Sequence, residues 1–420
     1  MKIAIAPDIH LNKAVFKGVY DRQYPTVPFR SADFMRAFEW CVDKCINELK
    51  PDIFVIPGDI YDNPSPSNKV RGFFSKQLRK LNSNKIPVLI LIGNHDVYMT
   101  NHALKDIKEL GLKSIKIVED PKILDYKGAH LFLLPYSIEV EQGKVTMKEE
   151  FEKFLVKIKE KDDGVPSIFF GHFSVQGAKM NEYADPLQIA KGMTKSEADK
   201  KDRLNKNKDD ISVSDLDRIG SDYVFLGDFH EFQILKTKNC VALYGGTLEK
   251  SDFSEISQKK GFVFYDSDAT EEGHLKKCRF IENPNCRPII ELEGNFNKIR
   301  DQFNDLDLSK HQEAMVKIKF KGTYNESLIF SSNLDSFKRN IIEKVNPIYF
   351  DSTQDVEKKE MKEEADKLEE EIKDTGHLSG DNIMPIVAEA LAERVEDEEE
   401  MKFMVALGTE IYNEVTKGLI

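Results

Sequence analysis

No apolar run in the 420 residues is long enough to span a membrane, and the N-terminus lacks a basic-then-apolar leader. Both absences predict a soluble, cytoplasmic protein. Cysteine is scarce as well: five residues, dispersed and odd in number, which argues against a disulfide framework and for reduced thiols. Cys41 and Cys45 share a face of one expected helix beside Trp40, the single tryptophan, and read as core packing rather than a metal site. An excess of positive charge is also missing, since the net charge is −12. Residues 356–400, however, hold 17 Asp or Glu against 6 Lys or Arg, a net of −11 that leaves −1 for the rest. A near-neutral body does not exclude a phosphate-rich ligand.

What the sequence does have is a repeated way of ending its hydrophobic runs. Ile53-Phe54-Val55-Ile56, flanked by Pro51 and Pro57, reads as a buried strand and leads through Gly58 to Asp59. A lone strand-end Asp would most often cap the next helix. Four further runs end alike. Ile3–Ala6 leads to Asp8 and His10, and Val88–Ile92 leads through Gly93 to Asn94, His95 and Asp96. Ser167–Phe170 leads through Gly171 to His172, and Tyr223–Leu226 through Gly227 to Asp228 and His230. In an open α/β sheet the carboxyl edge of the strands is where ligands bind, so the five ends describe one site.

The length allows two or three domains. From residue 2 to about 282, strands and helices alternate before giving way mainly to strands. Helices are expected over 31–49, 67–83, 102–110 and 147–161, and strands over 2–7, 52–57, 86–93, 115–118, 123–126, 129–135 and 166–171. The fold class is α/β, with layered β-sheets flanked by helices. Residues 191–210 are almost without apolar side chains and predict a surface loop. Residues 286–352 read as a small α+β unit, and 353–420 as a charged helical tail. The tail's narrow apolar stripes, such as Met361, Ala365, Leu368 and Ile372, suit docking on a partner helix or folding back on the chain's own body.

Carboxylate, imidazole and amide oxygen are the ligands of hard or borderline divalent ions. Two such ions about 3.5–4 Å apart can clamp both oxygens of a phosphoryl displacement. Seven strand-end residues are candidates: Asp8, His10, Asp59, Asn94, His172, Asp228 and His230. His95, beside a ligand but surplus to the count, is free to act as a proton donor. His102, His130, His274, His311 and His377 lack such neighbours and read as structural.

In this order the motifs resemble the calcineurin-like metallophosphoesterase superfamily. Within it, Asp8-Ile9-His10-Leu11, Gly58-Asp59-Ile60-Tyr61-Asp62, Gly93-Asn94-His95-Asp96 and Gly171-His172-Phe173 are similar to strings of the SbcD / meiotic-recombination-eleven DNA repair nucleases. So are Tyr244-Gly245-Gly246-Thr247-Leu248-Glu249, Ser251–Glu255 and Lys260-Gly261-Phe262. The match by motif covers residues 1–285.

The resemblance implies a two-metal DNA nuclease subunit, exonuclease or endonuclease, that processes ends in double-strand-break repair or replication. Asp8, His10, Asp59 and His230 would hold one ion, and Asp59, Asn94, His172 and Asp228 the other. Asp59 would bridge, His95 would stabilise the transition state and protonate the leaving group, and the ions would be Mn2+. Residues 286–352 would cap DNA, and the tail would bind an SbcC / Rad-fifty type coiled-coil ATPase. A homodimer is also implied, with the 67–83 helix contributing. One position departs: the family has Gly-His-x-His where this chain has Gly227-Asp228-Phe229-His230. A small-molecule phosphodiesterase and a DNA-end scaffold with weak catalysis are the rival readings.

Overall fold

A computed structural model of the protein describes residues 1–16, 18–161, 163–178, 210–270, 275 and 277–356. The expected loop at 191–210, apart from Asp210, and the tail from residue 357 lie outside the described residues. The chain forms two compact units. The first comprises Met1–Glu291, Asp307–Lys317 and Asn340–Asp351, and the second comprises Leu292–Leu306, Ile318–Arg339 and the described residues from Ser352 onward.

The first unit is built on two six-stranded sheets. One runs in the order Cys278–Glu282, Gly261–Asp266, Lys2–Ile5, Ile53–Pro57, Val88–Leu91, Ile115–Val118. Its last four strands are mutually parallel, and Gly261–Asp266 joins them antiparallel to Lys2–Ile5. The other runs Gln233–Leu235, Val241–Tyr244, Tyr223–Gly227, Ser167–His172, Ala129–Leu134, Lys122–Tyr126. There the four inner strands are parallel and both edges antiparallel.

The unbroken hydrophobic runs follow from where these strands lie. Ile53–Pro57 and Val88–Leu91 are buried at every position, because each of their two faces is covered. Alternate residues point in opposite directions. Ile3, Ile5, Ile53, Val55, Leu89 and Leu91 face the other sheet and meet Leu131, Leu133, Ile168, Phe170, Phe225 and Leu243. Phe54, Ile56, Val88 and Ile90 face outward onto helix residues Phe38, Cys41, Val42, Phe74, Leu78 and Leu81. On the far side Phe132, Phe169 and Val224 pack on Phe151, Phe154, Leu155 and Ile158 of a third helix. The layers are therefore helix, sheet, sheet, helix. Cys41 and Cys45 are both in the first helical core.

The helices begin where local chemistry starts them. Ser67 Oγ accepts from Val70 N at the head of Asn68–Ser83. Thr146 and Glu149 form a reciprocal capping box ahead of Met147–Glu160. The expected 31–49 helix is instead α-helical over Phe29–Lys44 and closes in a π-helical turn, Cys45–Leu49, with Lys50 left-handed. The helix expected at 102–110 is a short Lys105–Glu109.

Within the second unit, Phe296 packs edge-to-face with Phe330 and Phe337, and Phe320 stacks on Phe330 at 4.9 Å. Asn295 caps its helix Phe296–Asn304 by accepting from Lys298 N.

Candidate metal centre

The parallel strands of both sheets deliver their carboxyl ends to one place. Register aligns Ile5 with Val55 and Val55 with Leu89, so the turns carrying Asp8, Asp59 and Asn94 sit side by side. Gly227 pairs with His172 in the second sheet. The two edges meet where His172 Nδ1 donates to the Pro57 carbonyl at 2.8 Å.

Close approach explains the glycines in the motifs. A Cβ on Gly58 would stand 2.1 Å from His172 Nδ1, and one on Gly93 would stand 2.1 Å from Asp59 Oδ1. Backbone strain gathers here too. Asp8, His10, Asp59 and Asp228 all have positive φ, at 49°, 44°, 52° and 108°. Non-glycine residues in that region carry a conformational cost that surrounding structure must impose, and such positions cluster at functional sites.

Asp59 lies between two groups of donors. Its Oδ1 is 3.3 Å from His172 Nε2 and accepts from His95 N at 3.0 Å, while its Oδ2 is 3.6 Å from His10 Nε2. On one side Asp8, Asp59 and His172, all buried, present ligand atoms within 4.8 Å of one another. Asn94 Oδ1 joins them, 2.8 Å from His172 Nε2. Because His172 gives its Nδ1 proton to Pro57, Nε2 is the nitrogen it presents to the oxygens of Asp59 and Asn94. On the other side His10, Asp62 and His95 converge in the same way. His10 Nε2 is 2.9 Å from His230 Nε2, a separation at which the two nitrogens can share only one proton.

Electrostatics make this an anionic, electron-rich pocket. Burial pushes the Asp8 carboxyl well above the usual range, reinforced by Asp59 against the opposing pull of His172. Burial also opposes charge on Asp59, yet His172, His95 and His10 hold its carboxyl well below that range. His172 is raised to about 10, the carboxylates of Asp59, Asp8 and Asp228 overcoming its burial. His10 is lowered to about 3, chiefly by burial, and is neutral. Asp8 Oδ2 is buried with no hydrogen-bond partner among the described residues. Orphaned oxygen, neutral imidazole and crowded carboxylates together fit divalent cations of the hard or borderline class.

The eight candidates thus gather, with one difference in how they engage. Asp228 reaches the cluster through its backbone, whose N donates to Asp8 Oδ1 at 2.9 Å. Its carboxylate accepts from the Ser174 hydroxyl. His95 is solvent-facing and fixed by Nδ1 donating to the Asp62 carbonyl at 2.9 Å, which leaves Nε2 outward.

Several functional neighbours carry roles that their strings did not reveal. Asp62, the second carboxylate of Gly-Asp-x-x-Asp, faces His10 Nδ1 at 3.5 Å and is paired with Lys13 at 2.7 Å. Asp96 accepts from the backbone N of Ile60, Tyr61 and Gly93, tying the second ligand turn to the third. Burial, then Asp59, raises its carboxyl to about 7. Glu255 faces His230 Nδ1 at 3.4 Å and pairs with buried Lys260 at 2.9 Å, a carboxylate that orients an imidazole from behind. The only sequence signal for Glu255 and Lys260 is their place in the later strings.

A model of the calcineurin-like phosphoesterase family matches residues 1–232. Among known proteins the chain is similar to the SbcD subunit of the nuclease SbcCD from Staphylococcus epidermidis, 25% identical over 341 residues, which is 77% of each chain. Among solved structures it overlaps TT1561 of Thermus thermophilus with a TM-score of 0.35 and 12% identity, over 59% of this chain and 89% of that one.

Proposed function

Since the chain belongs to the calcineurin-like phosphoesterase family, we propose that it is a metal-dependent DNA phosphodiesterase, the nuclease subunit of a complex with an SbcC / Rad-fifty type ATPase. The observation that carries this reading is the position of Asp59, one carboxylate oxygen toward His172 and the other toward His10. Such a residue suits a bridge between two ions. The similarity to an SbcCD nuclease subunit, spread over 341 residues, supports DNA as the substrate and an SbcC-type partner.

On this reading Asp8, His10, Asp59 and His230 hold one ion, and Asp59, Asn94, His172 and Asp228 the other. Manganese is the proposed metal. Two bound divalent ions would polarise the phosphate and activate the attacking water. The chain's own residues do the rest. Pro57 fixes the tautomer of His172, and Glu255 steadies His230 from behind. His95, held through Nδ1 by the Asp62 carbonyl, turns Nε2 outward, placed for proton transfer to the leaving oxygen. Lys13 offsets the charge of Asp62 beside neutral His10. Asp228, in place of the family's His, adds a third carboxylate to those of Asp8 and Asp59 and favours hard ions over soft ones.

Residues 286–352 are proposed to cap DNA, and the tail from 353 to dock on the ATPase. The helix Asn68–Ser83 is proposed to contribute to a homodimer, and the cytoplasm is the proposed compartment. No helix among the described residues is long and apolar enough to cross a membrane.

The test is to incubate the purified chain and manganese with end-labelled DNA, beside a small chromogenic phosphodiester. Metal-dependent DNA cleavage is expected. Turnover of the small ester with intact DNA would favour a small-molecule phosphodiesterase, and inertness toward both would favour a scaffold.

A further inference from the structure

The short hairpin that follows His95 carries a feature the metal chemistry does not use. Val97–Tyr98 pairs antiparallel with Asn101–His102 around a two-residue turn, in which Met99 has a φ of 54°. Val97 is buried, so its strand neighbour Tyr98 points the opposite way, into solvent. Tyr98 is 59% exposed and Met99 61%, the two most exposed large apolar side chains among the described residues. Single exposed hydrophobics are ordinary. An adjacent pair on a braced tip, three residues from a proton donor, is not.

The bracing is specific. Ala103 N donates to the Asp96 carbonyl at 2.8 Å, so the hairpin base hangs on the residue that ties the ligand turns together. His102 Nδ1 accepts from Leu104 N at 3.2 Å, so its Nε2 carries the proton given to Glu119. Gln142 Nε2 donates to the Met99 carbonyl at 3.2 Å, holding the turn from outside. Three residues of chain span at most roughly 10 Å, so Tyr98 stands within about three stacked-base steps of His95.

We propose that Tyr98, with Met99 beside it, is a stacking platform for a nucleobase of the substrate next to the scissile phosphate, an inference that rests on the DNA reading above. An aromatic face takes any base, so the contact adds affinity and positions the strand without reading sequence. Backbone hydrogen bonds hold the hairpin, and Tyr98, 59% exposed, turns ring surface to solvent. Met99, unbranched and polarizable, fills the edge of whatever the ring stacks on.

The experiment compares Tyr98→Ala and Tyr98→Phe in the full chain with manganese. It reads kcat/KM on a single-stranded oligonucleotide as a ratio to that on a small chromogenic phosphodiester. For Tyr98→Ala the ratio should fall about ten-fold or more, the usual worth of one stacked base, while Tyr98→Phe stays within about two-fold of the parent. An unchanged ratio in Tyr98→Ala overturns the proposal, even if that variant loses capture of a partner protein. Parallel loss of both activities overturns it too, because the hairpin would then be shaping the catalytic turn. A parent that turns over the ester but leaves DNA intact refutes the DNA reading itself, before any variant is made.

Discussion

Replacing Gly93 by alanine isolates the steric demand of the site. Gly93 has φ −102° and ψ 172°, extended backbone open to any residue, so the substitution adds no conformational strain. What it adds is a Cβ 2.1 Å from Asp59 Oδ1 and 2.2 Å from Asp59 N. Ordinary contact begins at 3.4 Å. Either Asp59 or the Gly93 turn must therefore retreat by about 1.3 Å, well beyond what a packed contact absorbs. A displacement near 1 Å at a reacting centre costs on the order of 100-fold in rate, whereas overpacking costs about 1–3 kcal/mol of stability. Gly93→Ala should thus fold, lose about 100-fold in manganese-dependent DNA cleavage, and bind metal more weakly. Gly128→Ala is the control. Gly128 has φ +76° with nothing within 4 Å of an added Cβ, so alanine there strains backbone by about 1–2 kcal/mol and disturbs no ligand. Cleavage rate, metal titration and urea denaturation on both variants separate the two costs. A parental rate in Gly93→Ala would refute the packing of Asp59 against the third ligand turn.

Three further outcomes follow from the geometry. His95→Ala should keep its metal content while cleavage falls by about two to four orders of magnitude, and loss of the metals would make His95 a ligand instead. Glu255→Ala removes the carboxylate from Lys260, itself 1% exposed, leaving its charge only the neutral oxygens of His230 and Gln258, and should cost about 3–5 kcal/mol in urea denaturation; a loss under about 1 kcal/mol would contradict that pairing. Asp33 is held below the usual carboxylate range because Arg30, Arg287 and Arg36 outweigh its burial. A depressed carboxyl stabilises above its unfolded value of about 4 and loses that contribution as pH falls through the folded value, so Asp33→Asn should lower stability near neutrality and flatten the acid side of the stability curve.

The centre was legible because each buried strand advertises its own end. An unbroken apolar run, a glycine and a ligand-type side chain recur at residues 53–59, 88–94, 167–172 and 223–228, and the glycines do prove to be points of close approach. Which carboxylate does what was less legible. Asp59 and Asp62 share one string, but only the fold turns the first between His172 and His10 and the second to the far nitrogen of His10 and to Lys13. Asp96 and Glu255 act on residues distant in sequence, through hydrogen bonds that no local pattern encodes. Among the elements, long amphipathic helices such as Met147–Glu160 show their period and their caps. Ile138–Glu141 and Val213–Leu216 are single turns, too short for any period to register. The layered class followed from alternation, whereas the pairing of two sheets face to face depends on contacts such as Ile5 with the Phe170 layer.

The most direct measurement is anomalous scattering from crystals of the full chain grown with manganese. Two peaks about 3.5–4 Å apart on either side of the Asp59 carboxylate are the predicted result. A single peak, or manganese away from Asp59, would contradict the two-ion centre.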